Sequence, residues 1–205
     1  MTKIKICGLK SLQDIEAVNE ALPEYIGFVF AKSSRQIEVN QAKEMKKQLD
    51  KKVSAVGVFV NSKLNEIIEL CDKNVIDIIQ LHGDEDAKYI NYLKSKVSNP
   101  IIKAVRVKNT KQILTAQLLP YDYLLFDTYK KDAWGGSGDM FDHSLIPKTI
   151  KPYFLAGGLN AANISNVISD CNPYCVDISS GVESDGIKDK EKIKEIIKIV
   201  RSNTK

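Results

Sequence analysis

The sequence predicts a (β/α)₈ barrel, in which eight parallel strands, each followed by a helix, close into a ring. Two observations predict it. Short, nearly continuous apolar runs alternate with segments whose apolar residues recur at helical spacing, and this unit occurs eight times. No change of composition marks a linker, so residues 1–205 are expected to form a single domain. A doubly wound open sheet is the alternative, but it usually needs fewer repeats.

The predicted strands are short runs rich in isoleucine, valine, leucine and aromatic residues. They span residues 3–7, 25–30, 53–60, 76–81, 101–105, 123–126, 153–156 and 174–178. In the first strand, Ile4 and Ile6 share one face. Lys5 and Cys7 share the other, because successive side chains of a strand point to opposite sides. The first strand therefore ends in a thiol that points away from its isoleucines.

The segments between the strands carry apolar residues three or four positions apart, which is typical of amphipathic helices. These stripes cover about 12–22, 39–49, 64–71, 84–93, 110–119, 142–146, 164–168 and 193–200. The predicted N-caps are Ser11, Asn160 and either Asn61 or Ser62, and Asp84 is expected to begin the fourth helix.

Composition excludes several classes of function. The formal net charge of +4 suits a small anionic substrate. It is far from the concentrated basic face that is expected of a nucleic-acid binder. No apolar run of about 18 residues predicts a membrane span, and the N-terminus does not have the layout of a signal peptide. A cytoplasmic location with four reduced cysteines is therefore expected. No metal site is expected from two histidines, since zinc needs about four converging ligands.

The residues that follow the strands indicate where the chemistry lies. In a barrel, the carboxyl ends of the strands converge on one face, and that face holds the site. Polar residues or glycines follow the predicted strands: Cys7, Gly8, Arg35, Asn61, His82, Gly83, Arg106, Asp127, Thr128, Gly157, Gly158, Ser179, Ser180 and Gly181. Turn chemistry explains some glycine and polar residues at these ends, but it does not call for Cys, Arg, His and Asp.

Two glycine-containing loops after the seventh and eighth strands predict a phosphate site. They contain Gly157 with Gly158 and Ser180 with Gly181. Barrels often bind phosphate there through backbone N–H groups and a short extra helix, which Val182 and Glu183 could open. Plain turns are the alternative. The separate glycine-rich stretch at 135–138 lacks the Lys-Ser/Thr of a P-loop and is expected to cover the site.

Asp127 and Cys7 are the candidate proton-transfer groups. Asp127 ends an apolar run, and a carboxyl in apolar surroundings tends to have a raised pKa and can act as a general acid. A purely structural aspartate is the alternative. Cys7 shares its strand face with Lys5, and a thiol near a cation can become a thiolate that serves as a base or a nucleophile.

Three other strand-end residues are candidates for binding or support. Arg35 offers a planar fork that suits a substrate carboxylate. His82 is expected either to contact the substrate or to support a group that does. Asp177 lies just inside the end of the eighth strand and could orient its neighbours.

Short motifs at these strand ends occur in a particular order. They are KICG (5–8), GFVF (27–30) with SSR (33–35), VGVFVN (56–61), QLHG (80–83), FDT (126–128), GGSG (135–138), AGGLN (156–160) and DISSGVE (177–183). In this order, and over nearly the whole chain, they resemble the phosphoribosylanthranilate isomerase family of tryptophan biosynthesis. One departure is His143, where members of that family commonly carry tryptophan, which puts the packing of the short sixth helix in doubt.

The resemblance implies an Amadori rearrangement of N-(5-phosphoribosyl)anthranilate to 1-(2-carboxyphenylamino)-1-deoxy-D-ribulose 5-phosphate. By similarity, Asp127 is the general acid, Cys7 the general base, and Arg35 the group that holds the anthranilate carboxylate. The loops at 157–158 and 180–181 would hold the phosphate. The resemblance implies no metal or organic cofactor, and it favours a monomer or a homodimer.

Other functions remain as alternatives. One is another phosphate-binding barrel enzyme, such as an indole-glycerol-phosphate synthase, which would use lysine and glutamate at strand ends. A metal-dependent sugar-phosphate epimerase would need converging histidines and carboxylates. A non-catalytic sugar-phosphate binding module would gain nothing from a protonatable pair at Cys7 and Asp127.

Overall fold

Eight parallel strands form a closed barrel in chain order, and β8 pairs with β1 to complete the ring. The computed structural model describes residues 1–129 and 140–203. The strands are β1 (Lys3–Cys7), β2 (Tyr25–Val29), β3 (Ser54–Phe59), β4 (Ile78–Leu81), β5 (Ile101–Val107), β6 (Tyr123–Thr128), β7 (Tyr153–Leu155) and β8 (Cys175–Ile178). The predicted fold class is confirmed.

The helices pack outside the ring. They are α1 (Leu12–Ala21), α2 (Val39–Gln48), α3 (Leu64–Asp72), α4 (Ala87–Lys94), α5 (Thr110–Ala116), α6 (Ile164–Cys171) and α7 (Lys190–Ser202). Between β6 and β7, the described residues contain only a 3₁₀ helix, His143–Leu145, where the sequence predicted a short helix. The glycine-rich stretch 135–138 lies outside the described residues. No helix in the described ranges is long and apolar enough to cross a membrane.

Several predicted helix starts are wrong, since the residues expected to cap them have other roles or none. The N-cap of α3 is Lys63, without a side-chain hydrogen bond, rather than Asn61 or Ser62. Asn61 instead adopts a left-handed conformation, and its side chain accepts a hydrogen bond from the Asp84 N–H. Asp84 therefore belongs to the loop, and Asp86 caps α4.

The starts after β7 and β8 also differ from the prediction. The Asn160 side chain accepts from the Ala162 N–H within a turn, and α6 begins only after Asn163. After β8, a 3₁₀ helix covers Ser180–Val182, so Val182 and Glu183 do not open a helix. They lead into a small hairpin instead, formed by β9 (Glu183–Ser184) and β10 (Ile187–Lys188).

The apolar core has two layers. The larger layer lies between the barrel and the helices and contains Ile4 and Ile6, as the alternation of the first strand predicts. The smaller layer fills the amino-terminal half of the barrel interior, where the rings of Tyr25, Phe154 and Tyr174 pack together. Because this end is filled, a cavity within the barrel can open only at the carboxyl ends of the strands.

The cap of α1 supports a stability prediction. The Ser11 side chain accepts from the Asp14 N–H, and the Asp14 carboxylate accepts from the Ser11 N–H, which completes a capping box. Ser11→Ala should lower the free energy of unfolding by about 1 kcal/mol, because it leaves helix N–H groups unpaired. Urea denaturation followed by circular dichroism measures this loss.

Ser62→Ala is the matched control, because Ser62 was a predicted cap and the structure gives its side chain no capping role. Its effect should stay within about 0.5 kcal/mol. A loss at Ser62 equal to that at Ser11 would contradict the observed cap positions.

Candidate active site

A cavity of about 250 Å³ opens at the carboxyl ends of the strands. Its lining includes Cys7, Arg35, Gln80, His82, Asp127, Gly157, Gly158, Asp177, Ser179 and Ser180. The structure thus brings together eight of the ten residues that the sequence singles out. The other two, Lys5 and Gly181, lie directly behind the lining.

Beneath the cavity, Lys5 and Asp177 form a buried ion pair between neighbouring strands. The two residues are register partners in β1 and β8, and the Lys5 Nζ lies 2.8 Å from Asp177 Oδ2. The Lys5 side chain is fully buried. Burial alone would lower the pKa of Lys5, but the attraction of Asp177, and of Cys7 when it is a thiolate, raises it, so Lys5 stays charged.

Cys7 lies above this pair at the end of β1. A Cβ atom on Gly27 of the adjacent strand would come within 2.5 Å of the Cys7 Sγ, so only glycine leaves room for the thiol. The Ser179 hydroxyl donates to the Cys7 carbonyl at 3.0 Å. Burial raises the pKa of Cys7, and the cations of Lys5 and Lys188 only partly oppose the rise. At neutral pH the resting group is therefore a thiol.

Asp127 has a more polar environment than the apolar run before it indicates. One carboxylate oxygen accepts a hydrogen bond from the Thr128 N–H at 2.8 Å. The other oxygen lies 3.3 Å from His82 Nε2, without the alignment of a hydrogen bond. The Gln80 side chain contacts the other ring nitrogen of His82, with Nε2 3.0 Å from Nδ1. Asp127, His82 and Gln80 thus form one buried polar row.

Three buried polar atoms at the cavity have no hydrogen-bond partner among the described residues. They are Gln80 Oε1, His82 Nε2 and Asp177 Oδ1. Buried polar atoms are normally satisfied, because an unpaired one costs free energy. Their concentration in a single cavity indicates a site for a polar ligand.

The Arg35 side chain reaches the cavity and is ion-paired there with Glu183. Its Nε and Nη2 atoms donate to both carboxylate oxygens of Glu183, at 2.8 and 2.9 Å. Glu183 also accepts from the Lys188 Nζ at 2.7 Å. Sequence reasoning missed Glu183 and Lys188 as site residues. The Asp-Gly pair at 185–186 was the available signal, because such a pair favours a tight hairpin that sets 183 opposite 188.

The loops after β7 and β8 touch each other beside the cavity. A Cβ on Gly181 would lie 2.0 Å from the Leu159 carbonyl oxygen, so glycine is needed for this approach. Gly157, Gly158 and Ser180 face the cavity. No hydrogen bond to a described residue uses the N–H groups of Gly158, Ser180 or Gly181. Such free N–H groups suit an anion.

His143 lies away from this cavity. It lines a separate cleft with Tyr153 and Asp170, and its ring contacts Phe141 edge to face at 4.9 Å between centroids. Burial lowers its pKa. Within residues 1–129 and 140–203, no three His, Cys, Asp or Glu side chains cluster closely enough to hold a metal ion.

Comparisons with known proteins agree with this geometry. The family model described as N-(5'-phosphoribosyl)anthranilate (PRA) isomerase matches residues 4–199. The chain belongs to this family. An isomerase of that name from Endomicrobium trichonymphae is 49% identical over 202 residues, which cover 98% of this chain and 100% of the relative. The predicted family, and with it the predicted isomerase class, is confirmed.

Solved structures show the same barrel. The crystal structure of the phosphoribosyl anthranilate isomerase from Thermus thermophilus has a TM-score of 0.86 at 26% identity, covering 99% of this chain and 100% of its own. Another isomerase, solved with reduced 1-(o-carboxyphenylamino)-1-deoxyribulose 5-phosphate, has a TM-score of 0.81 at 30% identity. It covers 98% of this chain and 100% of its own.

The raised pKa of Cys7 predicts slow alkylation at neutral pH. Alkylation requires the thiolate, so the iodoacetamide rate at Cys7 should be well below that of free cysteine at pH 7.5 and still rise above pH 9. The Lys5 cation lowers the pKa of Cys7. Lys5→Met removes that cation, so it should slow the alkylation of Cys7 further at every pH at which Cys7 is still mostly protonated. Peptide mass spectrometry measures modification at Cys7.

Cys7→Ala is the control without the thiol: the mass signal of the alkylated Cys7 peptide should be absent from it. Cys71, whose pKa burial raises to about 11, is an internal reference for a slow thiol. Modification of Cys7 at the rate of free cysteine at pH 7.5 would contradict the burial argument.

Proposed function

We propose that this chain catalyses the Amadori rearrangement of N-(5-phosphoribosyl)anthranilate to 1-(2-carboxyphenylamino)-1-deoxy-D-ribulose 5-phosphate in tryptophan biosynthesis. The observation that carries the proposal is one cavity lined by a thiol, a carboxyl group and two loops with free N–H groups. Opening the ribose ring and removing the C2′ proton need an acid and a base that both reach the bound sugar. Cys7 and Asp127 lie on β1 and β6, which two other strands separate on the shorter way round the ring.

In the first step, Asp127 donates its proton to the ribose ring oxygen. The bond between C1′ and that oxygen breaks, and the lone pair of the anthranilate nitrogen forms the Schiff base. The Asp127 carboxylate left behind is accommodated by the Thr128 N–H and by His82. His82 therefore supports the acid and remains close enough to contact the opened sugar.

In the second step, Cys7 acts through the small thiolate fraction that is present at neutral pH, and this thiolate removes the proton from C2′. The electron pair moves into the C1′–C2′ bond and neutralises the iminium nitrogen, which gives an enolamine. The Cys7 thiol then returns its proton to C1′ while the C2′ hydroxyl loses its proton to the Asp127 carboxylate, which gives the ketone and restores both groups. Lys5 favours the thiolate, and Asp177 holds Lys5 in place. Substrate and product are isomers, so the cycle uses no added reactant.

The two charged ends of the substrate fit two regions of the cavity. The loops at 157–158 and 180–181 would receive the phosphate through backbone N–H groups. Arg35 would receive the anthranilate carboxylate. We propose that residues 1–205 act as one catalytic domain in the cytoplasm, as a monomer or a homodimer and without a nucleic-acid partner. Analytical ultracentrifugation would decide between the two assemblies.

Loss of the base should abolish turnover. Cys7→Ala should lower kcat by at least about 100-fold, because general base catalysis typically contributes factors of about 10²–10⁴. The loss of substrate fluorescence measures turnover, and calorimetry with the product measures binding, which should change little. Cys71→Ala is the control, since Cys71 is buried in α3, away from the cavity. Full activity in Cys7→Ala would exclude this thiol as the base.

Loss of the acid should have a similar effect. Asp127→Asn keeps the shape of the side chain but cannot supply the proton, so kcat should also fall by about 10²–10⁴-fold. Asp185→Asn is the control, because Asp185 lies at the tip of the hairpin in a left-handed conformation that asparagine also tolerates. If wild-type protein binds the product but turns over no substrate, the binding-module alternative is correct instead.

A further inference from the structure

Glu183 and Lys188 form a charged cluster with Arg35 that the mechanism above does not explain. The cluster joins the loop after β2 to the hairpin after β8. The side-chain exposures of Glu183 and Lys188 are 9% and 2%, so this is not a solvated surface contact. Two charged side chains withdrawn from water need a compensating arrangement.

Glu183 holds Arg35 by one edge. Both oxygens of Glu183 receive hydrogen bonds from Nε and Nη2, a bidentate geometry that fixes the guanidinium plane. The Nη1 atom donates to no described residue, so it remains available to a ligand in the cavity that Arg35 lines. A long arginine side chain is thereby held in one orientation before any ligand arrives.

Lys188 changes the charge of the cluster. Arg35 and Glu183 alone would be a neutral pair, which has little attraction for a second carboxylate. Burial lowers the pKa of Lys188, and the Glu183 carboxylate opposes this shift. With Lys188 protonated, Arg35 (+1), Glu183 (−1) and Lys188 (+1) carry one net positive charge. Burial would raise the pKa of Glu183, but the hydrogen bonds from Arg35 and Lys188 lower it to about 2, so Glu183 stays charged at neutral pH.

Lys188 also joins this cluster to the catalytic strand. Its Nζ donates to the Ser179 carbonyl oxygen at 2.9 Å, and the Ser179 hydroxyl donates to the Cys7 carbonyl at 3.0 Å. The buried lysine therefore fixes the hairpin, the end of β8 and the arginine relative to one another.

We propose that Glu183 and Lys188 are positioning residues for the carboxylate end of the substrate. Glu183 sets the orientation of Arg35, and Lys188 cancels the charge of Glu183 so that Arg35 can attract a second carboxylate. The inference rests on the proposed function, because it assigns the orientation and charge of one end of that site. It requires that both residues act through Arg35 and on the carboxylate end only.

The test is a double-mutant cycle on KM and kcat with N-(5-phosphoribosyl)anthranilate. Glu183→Gln should raise KM by at least about tenfold with a smaller change in kcat, since it removes a charge-assisted pair that orients Arg35. In an Arg35→Met background, the same substitution should have almost no further effect on KM. Inhibition by anthranilate should weaken in Glu183→Gln, whereas inhibition by inorganic phosphate should not.

Lys188→Met tests the charge argument. It should also raise KM by about tenfold, because it leaves a neutral pair facing the substrate carboxylate. Lys190→Met is the matched control, because Lys190 makes a surface pair with Glu20 and should leave KM unchanged.

The outcomes separate this inference from the proposed function. If the wild-type protein does not convert the substrate, the proposed function fails, and this inference fails with it. If the wild-type protein is active and Glu183→Gln behaves like wild type, the inference alone fails. It also fails alone if Glu183→Gln raises KM equally in the Arg35→Met background, or if phosphate inhibition weakens as much as anthranilate inhibition.

Discussion

The ion pair between Lys5 and Asp177 is the interaction on which the site depends. A lysine with no exposed surface inside a barrel needs a carboxylate, because an unpaired buried charge costs several kcal/mol. The pair joins β1 to β8, the two strands that close the ring. It therefore links the stability of the closed barrel to the placement of Cys7 and Ser179, which end or follow those strands.

The barrel interior divides into two parts along its axis. Its amino-terminal half is filled by aromatic and aliphatic side chains, whereas its carboxyl-terminal half contains Lys5, Asp177, Gln80, His82 and Asp127. Burial of apolar side chains in the filled half stabilises the fold and offsets the free-energy cost of the unpaired polar atoms in the other half. This division agrees with the general separation in barrels between a stability face and a catalytic face.

The sequence predicted most of the barrel, because its strands and helices differ sharply in the period of their apolar residues. It placed Cys7 and Lys5 on one face correctly, since strand alternation follows a simple rule. It failed at Asn61, which bonds the loop before α4, at Asn160, which bonds within its own turn, and at Ser62, whose side chain does not cap α3. Local sequence does not reveal which partner is nearer.

The residues of the site were likewise predictable in part. The residues at strand ends were predictable, because the barrel topology brings those ends together. Gln80 was missed although a glutamine within an apolar strand was visible in the sequence. Glu183 and Lys188 were missed because their importance depends on Arg35, which is about 150 residues away and meets them only in the folded chain.

The close fit of Gly27 against the Cys7 sulfur has a chemical consequence. Gly27 closes one side of the sulfur, and the other side lines the cavity, so Cys7 is partly exposed. Because it is mostly protonated, it reacts slowly with peroxides and electrophiles, which attack thiolates. The raised pKa that keeps this sulfur protonated therefore also slows its conversion to sulfenic and sulfinic acids. In the proposed mechanism, the same shift in pKa that limits the thiolate base also limits its loss to oxidation.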